Sequence, residues 1–150
     1  MRVLVVNAGS SSLKLRLLDA QNQVVVSRDL PAPGGADTHG LPDALEECGD
    51  IDAVGHRIVH GGTEFALPVL IDRAVDARLR ALVDLAPLHQ PKSLAALDAI
   101  NALRPRVPAV ACFDTAFHAG MPAAAATYAL PSEWRKRWKL RRYGFHGLSH

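Results

Sequence analysis

The opening of the chain constrains its fold most. A continuous apolar run, Val3-Leu4-Val5-Val6, ends in Asn7-Ala8-Gly9-Ser10-Ser11 and is followed by Leu13, Leu15 and Leu17 alternating with Ser12, Lys14 and Arg16. A short continuous run reads as a strand buried on both faces, and a period of two as a strand buried on one. The small polar residues between them favour a turn. Gln21-Asn22 makes a second turn, and Val24-Val25-Val26 starts a third strand. The chain therefore opens as a three-stranded antiparallel meander with polar loops.

Pro31 to Gly40 holds two Pro and three Gly and reads as a loop, and Leu41 to Cys48 as a short helix. Ala53 to Val59 reads as a strand that ends at His60-Gly61-Gly62. Asp72 to Asp84 carries Val75, Leu79, Leu82 and Val83 at helical spacing, until Pro87 breaks the pattern. Pro91 suits a helix start, with Leu94, Leu97 and Ile100 on one face. Val107 to Phe113 is a second apolar strand with Pro108 near its start, and Ser132 suits the N-cap of a helix through Trp138. Strands first, then strands alternating with helices, predict an α/β domain around a mixed sheet, with no internal repeat and no long linker. The chain stops at His150, just after the glycine-rich Tyr143-Gly144-Phe145-His146-Gly147. Domains rarely end on such a loop, so a fragment of a longer protein is expected.

At 150 residues the chain suits one domain with a real core rather than a large multi-domain machine. Seventeen Lys and Arg against 15 Asp and Glu leave a net charge of +2, which makes no overall case for nucleic acid or an anionic membrane. Two cysteines, Cys48 and Cys112, supply neither a disulfide scaffold nor a Cys-based zinc site, and suit a reducing cytosol. Val3 to Val6 is too short for the apolar core of a signal peptide, and no stretch has the apolar length to span a bilayer. The expectation is a soluble, cytoplasmic protein with no membrane or nucleic-acid partner.

Five segments could carry chemistry. In Asn7 to Lys14, a loop of small residues presents backbone N–H groups that suit phosphate oxygens, although a plain hairpin turn has the same composition. Ser12 and Lys14 share a strand face beside that loop, the Asn7 amide oxygen suits Mg²⁺, and no Walker A pattern is present. In Gly55 to Gly62, Arg57 and Val59 share a face, a cation beside a small apolar surface that suits a short carboxylate; a structural ion pair is the alternative. His56 and His60 read as H-x-x-x-H, but on a strand they lie roughly 13 Å apart, too far to share a metal. Asp114 directly follows a buried strand, where α/β sheets place ligands and where helix N-caps also occur. His89 lies between prolines in a helix-to-helix corner, as a cap or as a site residue. Gly144 and Gly147 around Phe145-His146 allow close backbone approach to a ligand. A sixth segment, Trp134 to Arg142, combines six basic residues with Trp134 and Trp138 at i, i+4. It reads as an amphipathic helix with both tryptophans in the core and a solvated basic face, rather than a nucleic-acid face.

In this order and at these spacings the segments closely resemble the N-terminal part of the acetate kinase (acetokinase) family. The stretches are NAGSSSLK at 7–14, GHRIVHGG at 55–62, LAPLHQP at 85–91, ACFDTAFH at 111–118, YALP at 128–131 and RRYGFHGLSH at 141–150. The resemblance implies a ribonuclease-H-like mixed sheet, the first domain of the acetate and sugar kinase, Hsp70 and actin superfold. It implies that residues 1–150 are the N-terminal domain and that a second, C-terminal domain holding most of the ATP pocket is absent from this chain. The implied activity is Mg²⁺-dependent in-line phosphoryl transfer from ATP to acetate, with homodimerisation of the full-length protein and no appreciable activity of the 150 residues alone. The alternatives are a propionate or butyrate kinase of the same family, or a non-catalytic acyl- and phosphate-binding module. Carried over by motif, Asn7 helps hold Mg²⁺, and Ser10, Ser12 and Lys14 meet the ATP phosphates. Arg57 binds the acetate carboxylate and the moving phosphoryl group, while Val59, Leu88 and Phe145 form the methyl pocket. His89 and His146 hydrogen-bond the phosphoryl oxygens, and Asp114 is the essential carboxylate. Gln90 stands where Asn is usual, Leu148 where Thr is usual, and Gly120 where Thr is more typical.

Overall fold

The computed structural model describes residues 1–32 and 40–150. Most of the expected loop from Pro31 to Gly40 therefore lies outside the described residues. Six strands, β1 (Val3–Ala8), β2 (Ser12–Leu18), β3 (Val24–Pro31), β4 (Ala53–Ile58), β5 (Val69–Leu70) and β6 (Ala109–Phe113), form one mixed sheet in the order β3-β2-β1-β4-β6-β5. The helices are α1 (Leu41–Cys48), α2 (Arg73–Ala81), α3 (Gln90–Leu103), α4 (Ala123–Ala126) and α5 (Ser132–Arg137).

The opening meander forms as expected. Gly9 N–H donates to the Ser12 carbonyl at 2.9 Å and closes the first hairpin, whose register runs from Val3↔Leu18 to Ala8↔Leu13. The Asp19 carboxylate accepts from the N–H groups of Gln21 and Gln23, both at 2.9 Å, and shapes the second turn. β1 then pairs in parallel with β4, and β4 in parallel with β6, from Val54↔Ala109 to Ile58↔Phe113. Parallel neighbours need long crossovers, which α1 and the α2–α3 pair supply.

Helices α1 and α3 cover one face of the sheet. Leu4, Val6, Leu13, Leu15 and Leu17 pack there with Leu41, Leu45 and Ile100, and a second cluster joins Ile58, Phe65, Leu79, Leu97 and Phe113. Each large apolar side chain so buried contributes about 1.5–3 kcal/mol. The other face differs from expectation. Val5 is 37% exposed, so the first strand is not buried on both faces. Its face also carries Asn7 and Lys14 and opens onto a cavity.

Other boundaries shift for local reasons. Asp72 caps α2, its carboxylate accepting from Val75 N–H at 2.7 Å, and the apolar spacing continues past α2 as a 3-10 turn, Val83–Leu85. β6 begins only after Pro108, which has no N–H to give the ladder. Ser132 is not an N-cap: it is the first helical residue of α5, and Pro131, at φ −49° and ψ 136°, sets the entry without a side-chain cap. Nor are the tryptophans in the core. Trp134 and Trp138 are 50% and 53% exposed, α5 buries no residue, and the two rings meet edge to face at 5.9 Å. Their i, i+4 spacing puts them together, but nothing among the described residues covers them.

Candidate active site

The parallel strands β1, β4 and β6 end side by side, and the residues at their carboxyl ends converge as such sheets allow. Arg57 donates from Nε and Nη2 to Asp114 Oδ2, at 3.0 and 2.6 Å, and from Nη1 to Asn7 Oδ1 at 3.1 Å. Asp114 is 2% exposed and the Arg57 side chain 21%. Buried charges of this kind persist only when paired, and one guanidinium here holds two oxygen groups from separate strands. Asp114 is not a helix cap: Thr115 precedes the 3-10 turn Ala116–His118, and no side chain caps it.

Two cavities meet at this cluster. One, of about 320 Å³, is lined by Arg57, Val59, Leu85, Ala86, His89, Asp114, Phe145 and His146. The other, of about 590 Å³, is lined by Val5, Asn7, the loop from Gly9 to Ser12, Lys14 and Ser149, together with Leu148. Arg57, His89, Asp114 and His146 line both. The smaller cavity thus has a cation at one end and an apolar wall; the larger has the serine hydroxyls, the loop amides and the Lys14 ammonium.

Ten of the eleven residues singled out in the sequence therefore face one or other cavity. Leu88 does not: it is 78% exposed and lies outside the lining, where Leu85 and Ala86 stand instead. His89 precedes α3 at the cap position but makes no side-chain cap, which leaves its ring to the cavities.

Several contacts that hold the site were not legible in the sequence. Gly147 N–H donates to the Asp114 carbonyl at 2.9 Å, and a Cβ on Gly147 would lie 2.4 Å from that oxygen. His118 Nε2 donates to the Phe145 carbonyl at 3.0 Å, and Gly61 N–H to Thr115 Oγ1 at 2.9 Å. Lys92 Nζ donates to the Ser10 carbonyl at 2.8 Å and ties the small-residue loop to α3. The His118 and Thr115 side chains lie in a quoted motif, but none of these pairs leaves a periodic signal.

His56 and His60 point into the protein rather than at the cavities, both 1% exposed. Burial pushes His56 down to about 4, and His60 also downward. His56 Nε2 has no hydrogen-bond partner among the described residues. Among those residues no group of three or more His, Cys, Asp or Glu side chains could hold a metal. The donor set at Asn7 and Asp114 still fits Mg²⁺, which takes oxygen ligands and commonly uses one or two carboxylates plus substrate phosphates. Both Arg57 bonds fall on Asp114 Oδ2, which leaves Oδ1 for such a role.

The sheet and its helices match solved kinases closely. The chain superposes on the crystal structure of Porphyromonas gingivalis acetate kinase with a TM-score of 0.85 and 35% identity, covering 99% of this chain and 46% of that one. It superposes on a propionate kinase from Francisella tularensis with a TM-score of 0.86 and 34% identity, again covering 46% of the latter. The architecture is therefore the α/β first domain of the acetate and sugar kinase, Hsp70 and actin superfold, as the resemblance implied. The family model described as the Acetokinase family matches residues 36–150, and the chain belongs to that family. Over its whole length it is 40% identical to an acetate kinase of Treponema denticola and 43% identical to one of Thermosipho africanus. It spans about half the length of these relatives, 46% and 45% respectively. Among the described residues no helix is long and apolar enough to cross a membrane.

Proposed function

We propose that residues 1–150 are the N-terminal domain of a longer kinase that transfers the terminal phosphoryl group of ATP to acetate, giving acetyl phosphate and ADP. The observation that carries this reading is the junction of the two cavities at Arg57, His89, Asp114 and His146. A small carboxylate in the smaller cavity and a polyphosphate in the larger would meet there. Arg57 would bind the carboxylate, and Val59, Leu85, Ala86 and Phe145 its alkyl end. Ser10, Ser12, Lys14 and the loop amides would hold phosphate oxygens.

Acetate, with a pKa of about 4–5 by analogy with side-chain carboxyls, is ionised at neutral pH and needs no general base. The obstacle is bringing one anion onto another, which charge and positioning overcome. Arg57 and Lys14 supply positive charge, His89 and His146 donate to the moving phosphoryl oxygens, and Asp114 with Asn7 orients Arg57. Asn7 and Asp114 would hold Mg²⁺, which would neutralise phosphate charge. We further infer a cytoplasmic location, which the free thiols of Cys48 and Cys112 suit, and a homodimer of the full-length protein with no nucleic-acid or membrane partner.

Propionate is the second reading, because the fold matches a propionate kinase as well as an acetate kinase. One methylene is worth only about 1–3 kcal/mol in such a pocket. Hydroxylamine trapping of acyl phosphate by the full-length protein, with ATP, Mg²⁺ and acetate, propionate or butyrate, tests the proposal. Product that favours acetate and falls roughly 10²–10³-fold in Arg57→Ala supports it. No product with any acid removes it in favour of a binding module. Robust turnover by the 150 residues alone would refute the requirement for a second domain.

A further inference from the structure

His60 and Gln90 are almost wholly buried, at 1% and 0% exposure, and neither lines either of the two cavities described above. Gln90 uses its amide as a peptide group would. Its Oε1 accepts from His60 N–H at 3.1 Å, and its Nε2 donates to the carbonyls of His60 at 3.2 Å and Leu79 at 3.4 Å. His60 lies just past the end of β4, so the side chain replaces the strand partner its backbone has lost. The His60 ring is equally committed. Its Nδ1 accepts from Gly62 N–H at 2.8 Å, with Gly62 held at φ +63°, so the ring is neutral with its proton on Nε2. The ring stands edge-on to Tyr143 at 4.4 Å and to Phe145 at 5.6 Å.

These contacts join three separate pieces of chain. Val59 precedes His60, His89 precedes Gln90, and Phe145 meets the His60 ring; all three line the smaller cavity. We propose that His60 and Gln90 are a positioning pair that fixes Val59, His89 and Phe145 relative to one another and thereby sets the affinity for the carboxylate substrate without touching it. The proposal rests on the kinase reading above.

The test uses the full-length protein and two variants. Gln90→Met keeps the length of the side chain and removes its polar groups. His60→Asn keeps an acceptor for Gly62 N–H and removes the ring. Each should raise the acetate KM about tenfold, the effect of one lost buried contact, while the ATP KM stays within about twofold. A merely structural role moves both constants together or neither. Equal changes in the two KM values, or an unchanged acetate KM in either folded variant, overturn the proposal. His60→Asn leaves the Gln90 amide in place, so it serves if Gln90→Met does not fold. If the wild type makes no acyl phosphate with any acid, the kinase reading fails separately. Ring ¹⁵N spectra then decide: displaced His89 and His146 signals in the variants uphold the pair's positioning role, and unchanged ones overturn it.

Discussion

Arg57 places two of its nitrogens on a single oxygen of Asp114, Oδ2, at 3.0 and 2.6 Å, although the carboxylate has two oxygens to offer. Its third bond goes to Asn7 on a different strand. The arrangement aims the guanidinium across the strand ends and leaves the other Asp114 oxygen without a hydrogen bond from Arg57. Asp114→Asn should therefore act twice. Breaking a buried pair by neutralising one partner costs about 3–5 kcal/mol, which urea unfolding of the variant would report. The released Arg57 should also raise the acetate KM, as steady-state kinetics of the full-length protein would show.

Stability should fall on acidification, with His56 as a main cause. Burial lowers its pKa from an ordinary 6.5 to about 4. Between those values the unfolded chain binds a proton that the folded chain does not. The stabilisation is thus complete above about pH 6.5 and is lost as pH falls toward 4, by about 3 kcal/mol in all. His60 shifts in the same direction and adds to the slope. Urea midpoints from pH 7 to 4 should drop steeply in the wild type and less so in His56→Leu; equal slopes would count against this assignment.

Gly147 should not tolerate even alanine. A Cβ there would lie 2.4 Å from the Asp114 carbonyl oxygen and 2.5 Å from the Phe117 Cβ, so the Phe145–His146 segment must move. Gly147→Ala should lower kcat/KM about 10–100-fold with secondary structure intact by circular dichroism, since small displacements of positioned groups are costly.

Lys92 should matter on the phosphate side only. Its ammonium holds the Ser10 carbonyl at 2.8 Å, which shapes the loop and adds a cation beside it. Lys92→Met should raise the ATP KM about threefold and leave the acetate KM unchanged, the size expected of one partly exposed charged hydrogen bond. An unaltered ATP KM would confine Lys92 to a surface contact.

Much of this was legible along the chain. The meander from Val3 to Pro31, the helix Leu41–Cys48 and the strands ending at Ile58 and Phe113 each carry their own periodicity and their own turn residues. Asp114 stands out because it directly follows a buried strand, and Arg57 because it shares a strand face with Val59. Three of the differences share one cause. Val5, Trp134 and Trp138 are apolar and are expected to be buried from their spacing, yet all three are exposed. Apolar spacing tells which residues lie on one side of an element, and says nothing of whether another element covers that side. β5, at two residues, is too short to show a period at all.

By itself the sequence determined the local elements, the chemistry available at each loop and, through its ordered motifs, the family. Only the tertiary structure decided that Asn7, Arg57 and Asp114 share hydrogen bonds, that four residues line two cavities at once, and that Gln90 pairs with the backbone of His60. Those contacts bridge 30 to 57 residues of chain. They depend on which strands pair in parallel and which face α3 covers, and that is a property of the packed sheet rather than of any stretch within it.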